Sequence, residues 1–281
     1  MSKITISADS CVDIGLEAIK KHDINIVPFG IAIGENLILD RCDVDPEVIY
    51  KAVEKDNIIP KTNAIPADTY REVFEEATKD GGSIIHINIS SKLSVSCDAA
   101  KKAAEGMERV YIVDSLSLSG GVGFLAVKAK EMVDAGKSAE ETHKACEELV
   151  KKLDLSFIVM DLKYLHRGGR VSGIKLLGAN LLKIRPTLVM DEAGRMVPGR
   201  KFKGEWSGAV REYLAYRLDN AKNACKEYVH VVHTVIDEAV RDELIQGLKD
   251  FGFKKVTCSV AGTTVTTHGG KNLLGFVYAN K

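Results

Sequence analysis

Apolar residues in the first half of the chain fall in short strand-like runs, separated by stretches with helical spacing. Residues 3–7 read as a strand, 14–21 as a helix and 24–33 as strand again. Asp45 followed by Pro46 is a helix start, because the carboxylate can accept from a free amide and proline loses nothing at the first helical position. A helix over 68–79 stops at Gly81-Gly82, and Ser83–Asn88 is the next strand. A serine-rich loop at 90–94 leads into a helix that ends by Gly106, followed by a strand at 110–113. The stretch 120–135 is helical and closes at Gly136. Ser138 and Glu141 then form a capping box for another helix. Strands alternating with helices of this length imply parallel pairing, with the sheet covered on both faces.

The texture changes near Leu155. Residues 157–160 and 187–190 are short strands, and Asp191-Glu192-Ala193-Gly194 turns the chain back into a strand at 195–197. That is a hairpin rather than another strand–helix–strand crossover. Helices over 206–221 and 237–251 interleave with strands at 228–233, Lys255–Val260 and 275–279. The expected fold class is therefore α/β: an N-terminal parallel-sheet α/β domain over 1–155 and a C-terminal α+β domain over 156–281, with mixed or antiparallel pairing.

Composition adds exclusions. The chain has 281 residues, 45% hydrophobic and 28% charged, and its 39 basic residues balance 39 acidic ones, so it carries no overall nucleic-acid footprint. Within 163–203, however, ten Lys and Arg face only Asp191 and Glu192, a local charge of about +8. That excess fits either a solvated surface or a face that meets an anion or an acidic partner. The six cysteines are scattered and never form a C-x-x-C pair, which argues against a zinc ribbon or a disulfide framework. Met1-Ser2-Lys3 leads straight into a strand pattern without a signal peptide, and no apolar run is long enough for a bilayer. A cytoplasmic location is expected.

Candidate chemistry concentrates in loops. In an open α/β sheet, ligands sit outside the carboxyl ends of the strands, where this chain places Asp9-Ser10-Cys11, the 90–94 loop and Asp114-Ser115-Leu116-Ser117. Each is hydroxyl-rich and precedes a helix, so each serine either caps its helix or helps hold an anion. Gly121-x-Gly123-x-x-Ala126 matches a dinucleotide fingerprint, yet it begins well after the strand ends and lacks the expected acid, so close helix packing explains it better. No nucleophile elbow, Walker loop or zinc-protease motif occurs. Leu165-His166-Arg167-Gly168-Gly169-Arg170 combines uncovered amides with an arginine fork, a combination suited to a carboxylate or phosphate. His268 sits among hydroxyls in Thr266-Thr267-His268-Gly269-Gly270, where it can donate to an anion.

Together these residues resemble the DegV family, bacterial fatty-acid-binding proteins that act as acyl carriers for fatty acid kinase. The resemblance runs nearly end to end. It rests on Ala8-Asp9-Ser10, Ser90-Ser91-x-Leu93-Ser94, Val113-Asp114-Ser115, Ser119-Gly120-Gly121-x-Gly123, Leu165-x-x-Gly168-Gly169-Arg170, Ile184-Arg185-Pro186 and Thr267-His268-x-Gly270. It implies two α/β domains with an acyl chain, palmitate- or stearate-like, buried between them, and no cofactor, catalytic residue or metal. By motif position Thr62, Ser94 and His268 would meet the carboxylate, with Ser10 and Ser115 as further ligand-binding candidates. Arg170 would line the entrance where phosphate is delivered. Arg167, Arg185, Arg200 and Lys201 are the candidates for the face that meets the phosphate or the kinase subunit. The chain departs from the family where Leu93-Ser94-Val95-Ser96 replaces the usual Leu-Ser-Gly-Thr, at Asn63 after Thr62, and at Lys271 after Gly270.

The resemblance implies a carrier that presents the carboxylate for acyl-phosphate formation and supplies no phosphoryl-transfer base. Burying about fifteen methylenes at roughly 0.8 kcal/mol each offers on the order of 12 kcal/mol before association costs. The desolvated carboxylate then needs several hydrogen-bond donors. One rival reading is a serine-dependent hydrolase or transferase acting on a small anionic substrate, with Ser94 as nucleophile and His268 as base. Another is a regulatory protein that its ligand merely stabilises.

Overall fold

The computed structural model describes residues 3–160, 162–170 and 183–281, apart from the side chains of Lys163, His166 and Arg167. The first sheet is four-stranded and wholly parallel. It contains β1 (Ile4–Asp9), β2 (Ile24–Val27), β6 (Ser83–Asn88) and β7 (Val110–Asp114), in the order β2-β1-β6-β7. Five of the six residues of β6 are buried, as expected of a central strand covered on both faces. Helices α1 (Leu16–Lys21), α3 (Ala67–Thr78), α4 (Ser96–Ala103), α5 (Gly120–Asp134) and α6 (Ala139–Val150) supply that cover, the last opened by the Ser138–Glu141 capping box.

The predicted strand over 24–33 is two strands. Pro28 interrupts the run, leaving β2 in the parallel sheet and sending β3 (Phe29–Ile33) into a separate antiparallel sheet between β4 (Asn36–Asp40) and β5 (Lys61–Asn63). Helix α2 (Glu47–Glu54) links β4 to β5, and the Glu47 amide donates to Asp45 at 2.9 Å.

The second sheet has six strands. They are β8 (Leu153–Val159), β9 (Ile184–Met190), β10 (Met196–Lys203), β11 (Ala224–His233), β12 (Lys255–Val260) and β13 (Leu273–Asn280), in the order β10-β9-β8-β13-β11-β12. All its pairings are antiparallel except β11–β12. The hairpin expected around Asp191 joins β9 to β10. On one face, α8 (Trp206–Asn220) and α9 (Glu238–Asp250) cover a core around Tyr213, Phe276 and Tyr278.

The other face meets the first sheet through α5, whose first eight residues are all buried. A methyl on Gly120 would lie 2.7 Å from Val232 of the second sheet, and one on Gly123 would lie 2.2 Å from Ile14 in the loop that leads from β1 of the first sheet to α1. The glycines therefore let one helix touch both layers, which is the packing role expected of them. A single apolar core runs from Ile6 and Ile87 of the first sheet to Phe157, Leu188 and Val277 of the second. Two short helices complete the seam: α7 (Lys163–Gly168) and α10 (Thr263–Gly269).

Candidate functional site

Helix α10 is built from threonines, which favour strands over helices. Distant carboxylates hold it in place. Buried Asp40, at the end of β4, accepts from the Thr264 amide at 3.0 Å and from its hydroxyl at 2.5 Å. Asp13 accepts from the Gly262 amide at 2.8 Å and from the Ser119 hydroxyl at 2.6 Å. Anions at a helix start are favourable through the exposed amides. Burial still pushes the Asp13 carboxyl up to about 7, aided by repulsion from Asp40 and resisted by those two hydrogen bonds.

The far end of α10 carries His268, whose Nε2 lies 2.9 Å from the Thr62 hydroxyl on β5. Nδ1 is buried, has no hydrogen-bond partner among the described residues and faces Gly168 of α7, where a Cβ would stand only 2.2 Å away. Burial, assisted by the Arg170 charge, pushes the imidazole down to about 4, so it is neutral near pH 7. A neutral ring has one N–H, and a buried N–H aimed at a methylene is costlier than a bare lone pair there. Nε2 therefore carries the proton and donates to Thr62, leaving the threonine hydroxyl free to donate to an anion.

Ser94 sits on the loop after β6. Its Oγ lies 2.9 Å from Ser96 Oγ and accepts from the Ser96 amide at 3.2 Å, while Ser96 in turn accepts from the Ile65 amide at 3.1 Å. Below this loop, Asp9 is buried and accepts from Tyr70, Asn88 and the Ile89 amide. That network fixes the end of β6 from which the loop departs.

Thr62, Ser94, His268 and Arg170 all line one cavity of about 290 Å³. Phe29, Ile89, Leu93 and Leu118 line it from one side, and Phe157, Leu188, Met196 and Leu273 from the second sheet. Its surface is thus mostly hydrocarbon, with the hydroxyls, the imidazole and the cations Lys92 and Arg170 on the 91–95 loop, β5, α10 and the end of α7. Arg170 is exposed, and its Nη1 donates to the Gly168 carbonyl at 2.6 Å.

The other sequence candidates lie elsewhere. Ser10 is fully buried and its hydroxyl accepts from the Phe29 amide at 3.1 Å. Ser115 accepts from the Ser117 amide and donates to the Ser117 carbonyl, at 3.1 Å in both cases. Neither lines the cavity, so these two hydroxyls organise turns. Of the three serine loops, the one after β6 brings its hydroxyls to the cavity, and Cys11 adds a thiol from the first. Half-buried Arg185 donates to the Met160 carbonyl at 3.2 Å. Arg200 lies over the Tyr216 ring at 4.7 Å in a bulge on the edge strand β10, and exposed Lys201 follows where the pairing resumes. The side chain of Arg167 lies outside the described residues, as does Lys175 of the basic stretch. The hydrolase reading needs Ser94 against His268. Ser94 is hydrogen-bonded instead to Ser96 and His268 to Thr62, and among the described residues no carboxylate orients Nδ1. Sequence reasoning missed the apolar lining, since its residues are of the types any core contains.

Among the described residues no helix is long and apolar enough to cross a membrane, and no cluster of His, Cys, Asp and Glu could hold a metal ion. The family model described as "Uncharacterised protein, DegV family" matches residues 3–281. A Thermotoga maritima protein named fatty acid-binding protein is 29% identical over 281 residues, spanning 98% of this chain and 96% of its own. A solved DegV family structure from Thermus thermophilus, described by its fatty acid binding, is similar with a TM-score of 0.89 at 26% identity, covering 99% of this chain and 100% of that one. DegV from Bacillus subtilis, described as a fatty acid binding protein, gives a TM-score of 0.84 at 27% identity, with both chains fully covered.

Proposed function

We propose that this chain, which belongs to the DegV family, binds one long-chain fatty acid in the cavity between its sheets, with the carboxylate against Thr62, Ser94 and His268. The observation that carries this reading is the composition of one cavity. Aliphatic and aromatic walls from the six-stranded sheet, from β3 and from the loops after β6 and β7 meet two hydroxyls and a neutral imidazole bonded to one of them. A hydrocarbon tail is stabilised by the walls at about 0.8 kcal/mol per methylene. The carboxylate loses its hydration, and the Thr62 and Ser94 hydroxyls replace part of it. Arg170 and Lys92, both exposed, supply positive charge beside the head group without burying an ion pair. The relatives named for fatty acid binding support the same ligand class.

In this reading the protein is a carrier that works in the cytoplasm with a separate kinase subunit. A carboxylate oxygen of the bound acid takes the γ-phosphoryl group of ATP on the kinase, ADP leaves, and the acyl-phosphate remains for transfer. Arg170 serves the arriving phosphate, and the exposed basic residues around Arg200 and Lys201 form the docking face. Six free cysteines fit a reducing compartment. The test is a paired assay. Thr62→Ala/Ser94→Ala should lose fatty-acid affinity, and hydroxylamine-trapped acyl-phosphate should form only when carrier, kinase and ATP are all present. Unchanged affinity in the double variant would refute the head-group assignment. Acyl-phosphate formed by the kinase and ATP at the same rate with or without this chain would refute the carrier role.

A further inference from the structure

A second cavity of about 400 Å³ lies along the same face of the six-stranded sheet as the first. Residues two apart on one strand connect them. On β8, Phe157 lines the first cavity and Leu155 the second; on β9, Leu188 lines the first and Met190 the second. Phe157 and Leu188 are cross-strand partners, so Leu155 and Met190 form the next row along the sheet. Met196 on β10 pairs with Met190, yet it lines the first cavity. The loop after β7 continues the same division, with Leu118 on the first side and Leu116 on the second. The two linings therefore come together at the cross-strand pair Met190 and Met196.

We propose that the Met190–Met196 pair is a movable partition that sets the acyl-length limit, and that the second cavity receives the terminal methylenes of longer chains. The inference rests on the fatty-acid reading above. Methionine is unbranched and turns about three bonds, so it can swing aside where a branched residue would have to displace backbone. One row along the strands is about 6.7 Å, the length of about five methylenes. Beyond the partition Leu155 and then Leu153 continue the apolar surface, and the buried Ser115 and Ser117 also line this cavity. Its acidic group nearest the turn, Asp191, is held by Arg195 at 2.8 Å. Lys151 and Glu192 are exposed and stand on the rim. A hydrocarbon end can thus advance by a row without meeting a buried charge.

The test uses delipidated full-length protein offered an equimolar series of saturated fatty acids from myristate to behenate, with the bound lipid extracted and quantified by mass spectrometry. Wild type should stop gaining occupancy at a definite length. Met196→Ala should move that limit by about four to six carbons, each added methylene being worth about fourfold in affinity. Met190→Ala should move it the same way, and Met196→Phe should move it toward shorter chains. Met190 is only half-buried, so its variant keeps the test open if Met196→Ala unfolds. The partition is overturned if the folded variants keep the wild-type length profile. Wild type that takes up no fatty acid of any length overturns the ligand assignment itself, a separate outcome.

Discussion

Gly168→Ala tests whether the imidazole geometry matters. The added Cβ would sit 2.2 Å from His268 Nδ1 and 3.2 Å from Cγ and Cε1, whereas ordinary contact begins near 3.4 Å. The ring must therefore shift by roughly 1.2 Å, away from Gly168 and toward Thr62, which a 2.9 Å contact cannot absorb, so the imidazole has to turn aside and the bond to Thr62 is lost. Leaving buried polar groups unmatched costs about 1–3 kcal/mol, so fatty-acid affinity should fall roughly five- to 150-fold. Gly168 lies in α7, where alanine is the better helix former by up to about 1 kcal/mol. Affinity should therefore drop without a matching loss of thermal stability. Gly169→Ala is the control: it adds its methyl to open space, but φ is +64°, so it should lower Tm and leave affinity alone. Fluorescent fatty-acid displacement and calorimetry on the three proteins read both quantities. Wild-type affinity in Gly168→Ala would refute the reasoning.

Thr62→Val removes the partner of His268 Nε2 while keeping the side-chain volume, so affinity should fall by about 1–3 kcal/mol in a displacement assay. Asp13→Asn concerns pH. The carboxyl holds its proton more tightly folded, at about 7, than at its ordinary 3.8, so the folded state keeps an extra proton between those values. Stability from this group therefore falls as pH rises from about 4 to 7, by roughly 4 kcal/mol in all, and is flat above. Asparagine imitates the protonated acid, so urea unfolding should show the variant gaining on wild type between about pH 4 and pH 7; a constant difference would contradict the buried-carboxyl account. Arg200→Glu/Lys201→Glu should slow acyl-phosphate formation at limiting kinase and spare fatty-acid affinity, since neither residue lines the cavity. An equal rate would remove that face from the docking surface.

Much of the fold was legible because it depends on local pattern. The strands Ser83–Asn88 and Lys255–Val260 and the Ser138 capping box carry their signals within a few residues. What stayed hidden is non-local. Nothing in the alternation over 24–33 says that the chain changes sheets at Pro28. The threonine-rich α10 owes its start to Asp40, 224 positions away, so the segment gives no helical signal of its own. Thr62 lies on a three-residue strand too short for periodicity, and only the family resemblance pointed to it. Ser10 and Ser115 looked equivalent to Ser94 because all three follow strands in hydroxyl-rich loops. Their hydroxyls differ in what they face, which depends on packing. The apolar cavity was invisible for the same reason: Phe157 and Leu188 line it, while Phe276 on the same sheet packs under α8.

The central claim is that the cavity holds a long-chain fatty acid by its carboxylate. Mass spectrometry of lipid extracted from the wild-type protein, purified from a lipid-containing host beside Thr62→Ala/Ser94→Ala, tests it most directly. The account predicts one equivalent of a long-chain fatty acid on wild type and a clear loss on the double variant. Wild type free of any acyl chain, or a double variant that retains it fully, would contradict it.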